Sequence, residues 1–327
     1  MISAVIPLWN EADSLEQLHG ELSSVAAEQG LELEYVFVDD GSTDRSWEVV
    51  QRLAANDSRV RAIRFRRNFG KAAALAAGFE AARGDVVFTL DADLQDDPHE
   101  IPRFLAKLDE GYDLVSGWKE VRHDPIEKVL PSRVFNGVVS WLTGVKLHDH
   151  NCGFKCYRGQ VVKDVRLYGE FHRFVPVLAA ARGWRVGELV VNHRKRQFGH
   201  SKYGIRRYLR GLLDMVTAVV LTTYRDRPQH LFGGLGLFLG GWGAALLALA
   251  MAMLIWFGTA KPPSLILALS FPLVMAVVAT GLLVGGLISF LAGLLGEQLI
   301  ARTSPSPPPY VVRERIERDE TTSGESR

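Results

Sequence analysis

Two long runs without a charged side chain, Leu231–Phe257 and Ser264–Gly296, restrict the fold of this chain more than any other feature. Each exceeds the roughly 20 residues needed to cross the hydrocarbon core of a bilayer, and core helices of soluble proteins are seldom so long and so uniformly apolar. Only Gly258-Thr259-Ala260-Lys261-Pro262-Pro263 separates them, so they are expected to form a helical hairpin that returns to its starting side. Arg206, Arg207, Arg210, Arg225 and Arg227 precede the hairpin, and Arg302, Arg313, Arg315 and Arg318 follow it, whereas its tip carries Lys261 alone. By the positive-inside rule both termini, and the long N-terminal part, face the cytoplasm. The expected organisation is a catalytic-sized domain over 1–203, an interfacial amphipathic stretch over 204–229, spans over 230–258 and 264–296, and a cytoplasmic tail over 297–327.

Outside the hairpin the composition is that of an ordinary α/β domain. Charge is balanced, with 38 basic and 37 acidic residues, which argues against a nucleic-acid-binding role. Cys152 and Cys156 are the only cysteines; they provide no disulfide framework and suit a reducing compartment. With His148, Asp149 and His150 they match no common zinc spacing.

Short apolar runs alternate with helical patterns from the first residue: Ile2–Pro7 then Ser14–Glu28, Tyr35–Val38 then Ser46–Ala55, Val60–Phe65 then Lys71–Ala82, and Val86–Leu90. This rhythm predicts βαβ units on a mainly parallel sheet. Further on, a helix is expected over Ile126–Leu142, strands over Cys152–Tyr157 and Val186–Val191, and a helix over Glu170–Ala181. Parallel sheets bind ligands beyond the carboxyl ends of their strands, and here those ends are unusually polar: Trp9-Asn10-Glu11, Asp39-Asp40-Gly41-Ser42-Thr43-Asp44, Arg66-Arg67-Asn68-Phe69-Gly70-Lys71, and Asp91 to Asp97. Asp91-Ala92-Asp93 puts two carboxylates directly after a strand, an oxygen donor set suited to Mg²⁺ or Mn²⁺.

The segments Pro7-x-Trp9-Asn10-Glu11, Val38-Asp39-Asp40-Gly41-Ser42-Thr43-Asp44, Arg67-Asn68-Phe69-Gly70-Lys71 and Asp91-Ala92-Asp93-Leu94-Gln95-Asp96-Asp97-Pro98 resemble family 2 glycosyltransferases of GT-A fold. Within that family the chain is most similar to the dolichyl-phosphate mannose synthase and bacterial polyprenyl-phosphate glycosyltransferase branch. Asp149-x-x-Cys152-Gly153-Phe154-Lys155, Arg196-x-x-Gly199-x-Ser201-Lys202-Tyr203 and the hairpin ending in Leu294-Leu295-Gly296-Glu297 extend the likeness over nearly the whole chain.

The resemblance implies an inverting transferase that moves a hexose from a nucleotide-sugar, UDP-glucose before GDP-mannose, to undecaprenyl or dolichyl phosphate. It assigns Pro7, Trp9, Glu11, Val38, Asp40, Lys71, Asp91 and Ala92 to the nucleotide-sugar, and Asp91, Asp93 and Gln95 to the metal. Trp9 stands where the family usually has tyrosine. Lys119, Arg122, Arg196, Ser201 and Lys202 fall where the family binds the acceptor phosphate. Asp149 is the residue the family nominates as base; the alternative is that it orients a basic neighbour instead. Other readings are a transferase acting on a different membrane lipid and an inactive partner of a flippase; homo-oligomerisation is left open.

Overall fold

The computed structural model describes residues 1–120, 126–167, 169, 171–194, 206–224, 227–259 and 265–302. They divide into two compact units, Met1–Thr222 and Thr223–Arg327.

The first unit is an α/β domain around a seven-stranded sheet. Its strands are β1 (Ile2–Leu8), β2 (Leu33–Asp39), β3 (Val60–Arg64), β4 (Val86–Thr89), β5 (Leu114–Trp118), β6 (Lys155–Arg158) and β7 (Val186–Val190), in the order β3-β2-β1-β4-β6-β5-β7. All neighbours pair in parallel except β6, which runs antiparallel to both β4 and β5. The pleat sends alternate residues of β1 and β2 to opposite faces. Ala4, Ile6, Tyr35 and Phe37 join one core cluster, whereas Val5, Val36 and Val38 join the other. Burial on both faces explains why these strands read as continuous apolar runs rather than as alternating ones.

The helices of this unit are α1 (Leu15–Glu28), α2 (Ser46–Asn56), α3 (Lys71–Ala81), α4 (Ile101–Asp109), α5 (Ile126–Thr143), α6 (Gly159–Asp164), α7 (Val175–Ala180) and α8 (Arg206–Thr223). α3 lies so close to β1 that a Cβ on Gly78 would come within 2.3 Å of Val5 Cγ1. Met215 and Ala218 of α8 are buried with Val139, Phe171, Phe174 and Val177, so α8 packs within this unit, which extends to Thr222.

The strand–helix alternation over the first 90 residues is as the periodicity predicts. Three elements, α4, β5 and α6, were not anticipated. β5 spans only five residues, and Ser116 and Gly117 break its apolar run. The helix expected over Glu170–Ala181 is instead a 3₁₀ turn at Phe171–Arg173 followed by α7. Pro176 explains the break, since proline fits the first turn of a helix and not its interior.

The second unit consists of α9 (Pro228–Thr259) and α10 (Leu265–Arg302), two helices long and apolar enough to cross a membrane. They pack through glycine: a Cβ on Gly286 would lie 2.7 Å from the Gly236 carbonyl oxygen and 2.8 Å from the Gly240 nitrogen. Gly281 and Gly285, spaced like Gly236 and Gly240, have nothing within 4 Å. Polar bonds fix the register at one end. Ser289 Oγ donates to Phe232 O (2.8 Å), and Glu297 Oε1 accepts from Gln229 N (3.3 Å), an orphan donor in the first turn of α9.

Gly286→Leu is therefore expected to destabilise the detergent-solubilised protein by about 1–3 kcal/mol through forced separation of the helices, read as a lower melting temperature. Gly281→Leu should leave it unchanged; equal losses would show that backbone approach at Gly286 is not what holds the hairpin.

Candidate functional site

The polar strand ends gather along one edge of the sheet. After β1, Asn10 takes a left-handed conformation (φ 56°), tolerable for asparagine. Its N–H donates to Ser42 Oγ (2.9 Å), its Oδ1 accepts from Thr43 N (2.8 Å), and Glu11 N donates to Ser46 Oγ (2.9 Å). Asp44 accepts from Ala12 N and Ser46 N. The loops after β1 and β2 thus form one wall, with Trp9 exposed and Pro7 half-buried beside it.

Asp40 closes the next side. Its carboxylate accepts from Phe69 N (2.7 Å) and Gly70 N (2.9 Å), fixing the loop that leads into α3, and burial raises its pKa despite those bonds. Gly41 lies against this loop with φ 69°, and a Cβ there would be 2.4 Å from the Arg67 carbonyl carbon. Val38 and Ala92 are buried in the core clusters, so only their backbone is placed to meet a ligand.

At the end of β4 the Asp91 carboxylate pairs with Lys71 at the first turn of α3. Burial works against its charge, yet Lys71 and Lys119 outweigh it and hold the carboxyl down at about 2. Gly153 supports this group from behind, where a Cβ would come within 2.6 Å of Asp91 Oδ2. β6 begins at Lys155 rather than at Cys152. Asp93 is buried, and its Oδ1 accepts from Gln95 N (3.2 Å). Leu94 between them has φ 59°, a strained value of the kind found at functional turns.

Asp96 knits this turn together. Its Oδ2 accepts from Asp91 N (3.2 Å), and its Oδ1 lies 2.9 Å from Lys119 Nζ at the end of β5. Burial opposes the charge on Lys119, but Asp96 and other nearby anions raise its pKa well above the usual value. The cation expected to meet an acceptor phosphate is therefore engaged by a buried aspartate.

Gln95 Nε2 lies 3.3 Å from His193 Nε2, beyond the end of β7, where Arg194 is held by Glu21 and Asp97, each at 2.6 Å. The sequence does carry a signal for His193: it follows an apolar strand, just as Asp91 does. His172 is a second unanticipated neighbour; burial, then the charges of Lys71 and Arg173, push its pKa far down. Arg122, Arg196, Ser201 and Lys202 lie outside the described residues.

Asp149 is 1% exposed, in the loop between α5 and β6, and its Oδ1 accepts from Asn151 N (3.1 Å). Beside it Lys155, wholly enclosed, donates to the carbonyls of His150 (3.3 Å) and Cys152, and burial lowers its pKa.

In a mainly parallel sheet, polar turns beyond the carboxyl ends of the strands are where ligands bind. Residues 3–162 match the family described as "Glycosyl transferase family 2". The chain is 37% identical over 324 residues to a dodecaprenyl-phosphate galacturonate synthase of Rhizobium johnstonii, covering 96% of this chain and 92% of that protein. It is 41% identical over 254 residues to an undecaprenyl-phosphate 4-deoxy-4-formamido-L-arabinose transferase of Pseudomonas aeruginosa, covering 77% and 74%. Among solved structures, glucosyl-3-phosphoglycerate synthase of Mycobacterium tuberculosis in complex with Mn²⁺ and UDP-glucose superposes with a TM-score of 0.50 at 18% identity, over 69% of this chain and 78% of that one. The chain belongs to glycosyltransferase family 2 and is a glycosyltransferase.

Gly153→Ala is expected to lower sugar transfer roughly 10²-fold, because displacing a reacting group by about 1 Å costs that much, while circular dichroism stays unchanged. Full activity would show that the Asp91 carboxylate needs no support from Gly153.

Proposed function

We propose that this enzyme transfers a sugar from a UDP-sugar to the phosphate of a polyisoprenyl lipid at the cytoplasmic face of a membrane. The observation that carries the reading is the Asp91–Asp93 turn with Lys71, at the carboxyl edge of the sheet. It stands in a chain whose relatives act on dodecaprenyl and undecaprenyl phosphate and whose two apolar helices are long enough to anchor it. Full-length similarity to a galacturonate synthase is a reason to test UDP-galacturonate beside UDP-glucose.

The donor set fits a divalent cation that substrate helps to hold. Asp91 and Asp93 supply carboxylates, Gln95 bonds Asp93 through its N–H and His193 through its side chain, but among the described residues no three His, Cys, Asp or Glu side chains form a ready-made cage. Mg²⁺ is commonly bound in this way, by one or two carboxylates completed by phosphate oxygens and water. Such an ion supplies counter-charge for the departing diphosphate.

The remaining steps belong to the chain's own groups. The Trp9–Glu11 and Asp40–Asp44 loops receive the nucleotide, and Lys71 keeps Asp91 ionised. The acceptor phosphate has a second pKa near 6 and is mostly dianionic at neutral pH, so it requires cationic positioning more than a strong base. Its oxygen bonds to the anomeric carbon as the bond to the diphosphate breaks, inverting that centre. Arg122, Arg196, Ser201 and Lys202 are assigned to this phosphate by family resemblance, and Asp149 is assigned as its base.

Purified protein with a panel of radiolabelled UDP-sugars and undecaprenyl phosphate tests the reading directly. Turnover should require Mg²⁺ or Mn²⁺, and Asp93→Asn should lower it by at least ~10²-fold; undiminished turnover in EDTA would exclude the metal. Arg196→Ala and Lys202→Ala should raise the KM for the lipid phosphate and leave UDP affinity unchanged. Calorimetry showing UDP affinity lost in those variants would move the basic loop to the donor side.

A further inference from the structure

Glu188 of β7 makes a set of contacts that neither the sheet nor the nucleotide wall requires. Its Oε1 accepts from the main-chain N–H of His148 (2.9 Å) and of Asp149 (3.0 Å). Its Oε2 lies 3.1 Å from the same His148 N–H and 2.7 Å from His148 Nδ1. One carboxylate therefore holds two consecutive peptide units and an imidazole. The His148 ring stacks on Trp118, with centroids 4.0 Å apart and 12° between planes, immediately before Lys119.

The rest of the loop is tied from three other elements. Asn136 and Ser140 of α5 donate to the carbonyls of His148 (2.7 Å) and Leu147 (3.1 Å). Ser116 of β5, which pairs with Glu188 across the sheet, places its Oγ 3.5 Å from the Asp149 carbonyl oxygen. Lys155 of β6 holds the carbonyl of His150. The N–H and C=O of Asp149 thus both bond to side chains on adjacent strands, and Asn151 N donates to its Oδ1. Carboxylate bonds to N–H groups are about twice as strong as neutral ones, so Glu188 dominates this anchoring.

We infer that Glu188 is a positioning residue for the transfer reaction, holding the Asp149 main chain so that its carboxylate faces the acceptor phosphate. The inference rests on the assignment of Asp149 as the acceptor-side base. Glu188 touches neither substrate; it acts through Asp149. A residue that only closed the loop would change stability without changing the kinetics of one group.

The test is a double-mutant cycle of Glu188→Ala, Glu188→Gln and Asp149→Asn on the full-length protein, reading kcat and acceptor KM, with UDP affinity by calorimetry as the control for an intact donor site. Glu188→Ala should lower kcat roughly 10- to 10²-fold while UDP affinity holds. Glu188→Gln should lose less, because its amide oxygen still accepts one N–H bond. In the Asp149→Asn background neither change should cost more than ~2-fold further, since residues acting as one unit are non-additive. Losses that multiply, or wild-type kcat in Glu188→Ala, would overturn the inference while leaving Asp149 as assigned. Wild-type turnover in Asp149→Asn would instead refute the base and the inference with it. Should Glu188→Ala lose UDP binding, the Gln variant decides on the same criteria.

Discussion

Charge compensation at the end of β4 is the constraint on which the rest of the site depends. Asp91, Asp93 and Asp96 share one tight turn in which Asp93 and Asp96 are buried, and like charges so close disfavour one another's ionised forms. Two cations from different elements meet this cost: Lys71 from the start of α3 pairs with Asp91, and Lys119 from the end of β5 pairs with Asp96. In the sheet, β5 lies beyond the antiparallel strand β6 from β4, so Lys119 meets this turn from across β6. Gly153, at the entry to β6, leaves room for the Asp91 carboxylate.

The two halves of the site are built by different means. Beyond β1 and β2, loops bond to loops through the side chains of Asn10, Ser42, Ser46 and Asp40, which accept from main-chain N–H groups. On the Asp149 side, one loop is anchored to β5, β6, β7 and α5. The first arrangement fixes the shape of a wall. The second fixes the main chain of one residue, Asp149, through both its N–H and its C=O.

The apolar hairpin obeys a separate logic. Burial of apolar area drives no association between helices already surrounded by hydrocarbon, so close packing and internal polar bonds must do so. Gly236 and Gly286 let the backbones approach, and Glu297 meets an open N–H at the start of α9. Sequence alone offers several glycine pairs of the same spacing. Which of them face each other depends on the rotation of both helices, which only their packing determines.

The order of βα units, the polar strand ends, the paired aspartates and the apolar hairpin were all legible in the sequence, because each is a local pattern: a period of residues, a run of one polarity, or two carboxylates a residue apart. Five-residue β5 was not legible, since Ser116 and Gly117 interrupt its apolar signal, and the helical pattern over 170–181 hides the restart that Pro176 imposes. Tertiary structure alone decided which cation meets which carboxylate. Lys119 and Asp96 are 23 positions apart, Gln95 and His193 are 98 apart, and Glu188 stands 39 residues from the Asp149 amide it holds. Side-chain type determines what each group can bond. Contacts across the sheet determine what it does bond, because strand order and register bring these distant positions within hydrogen-bond reach, and no local pattern encodes that register.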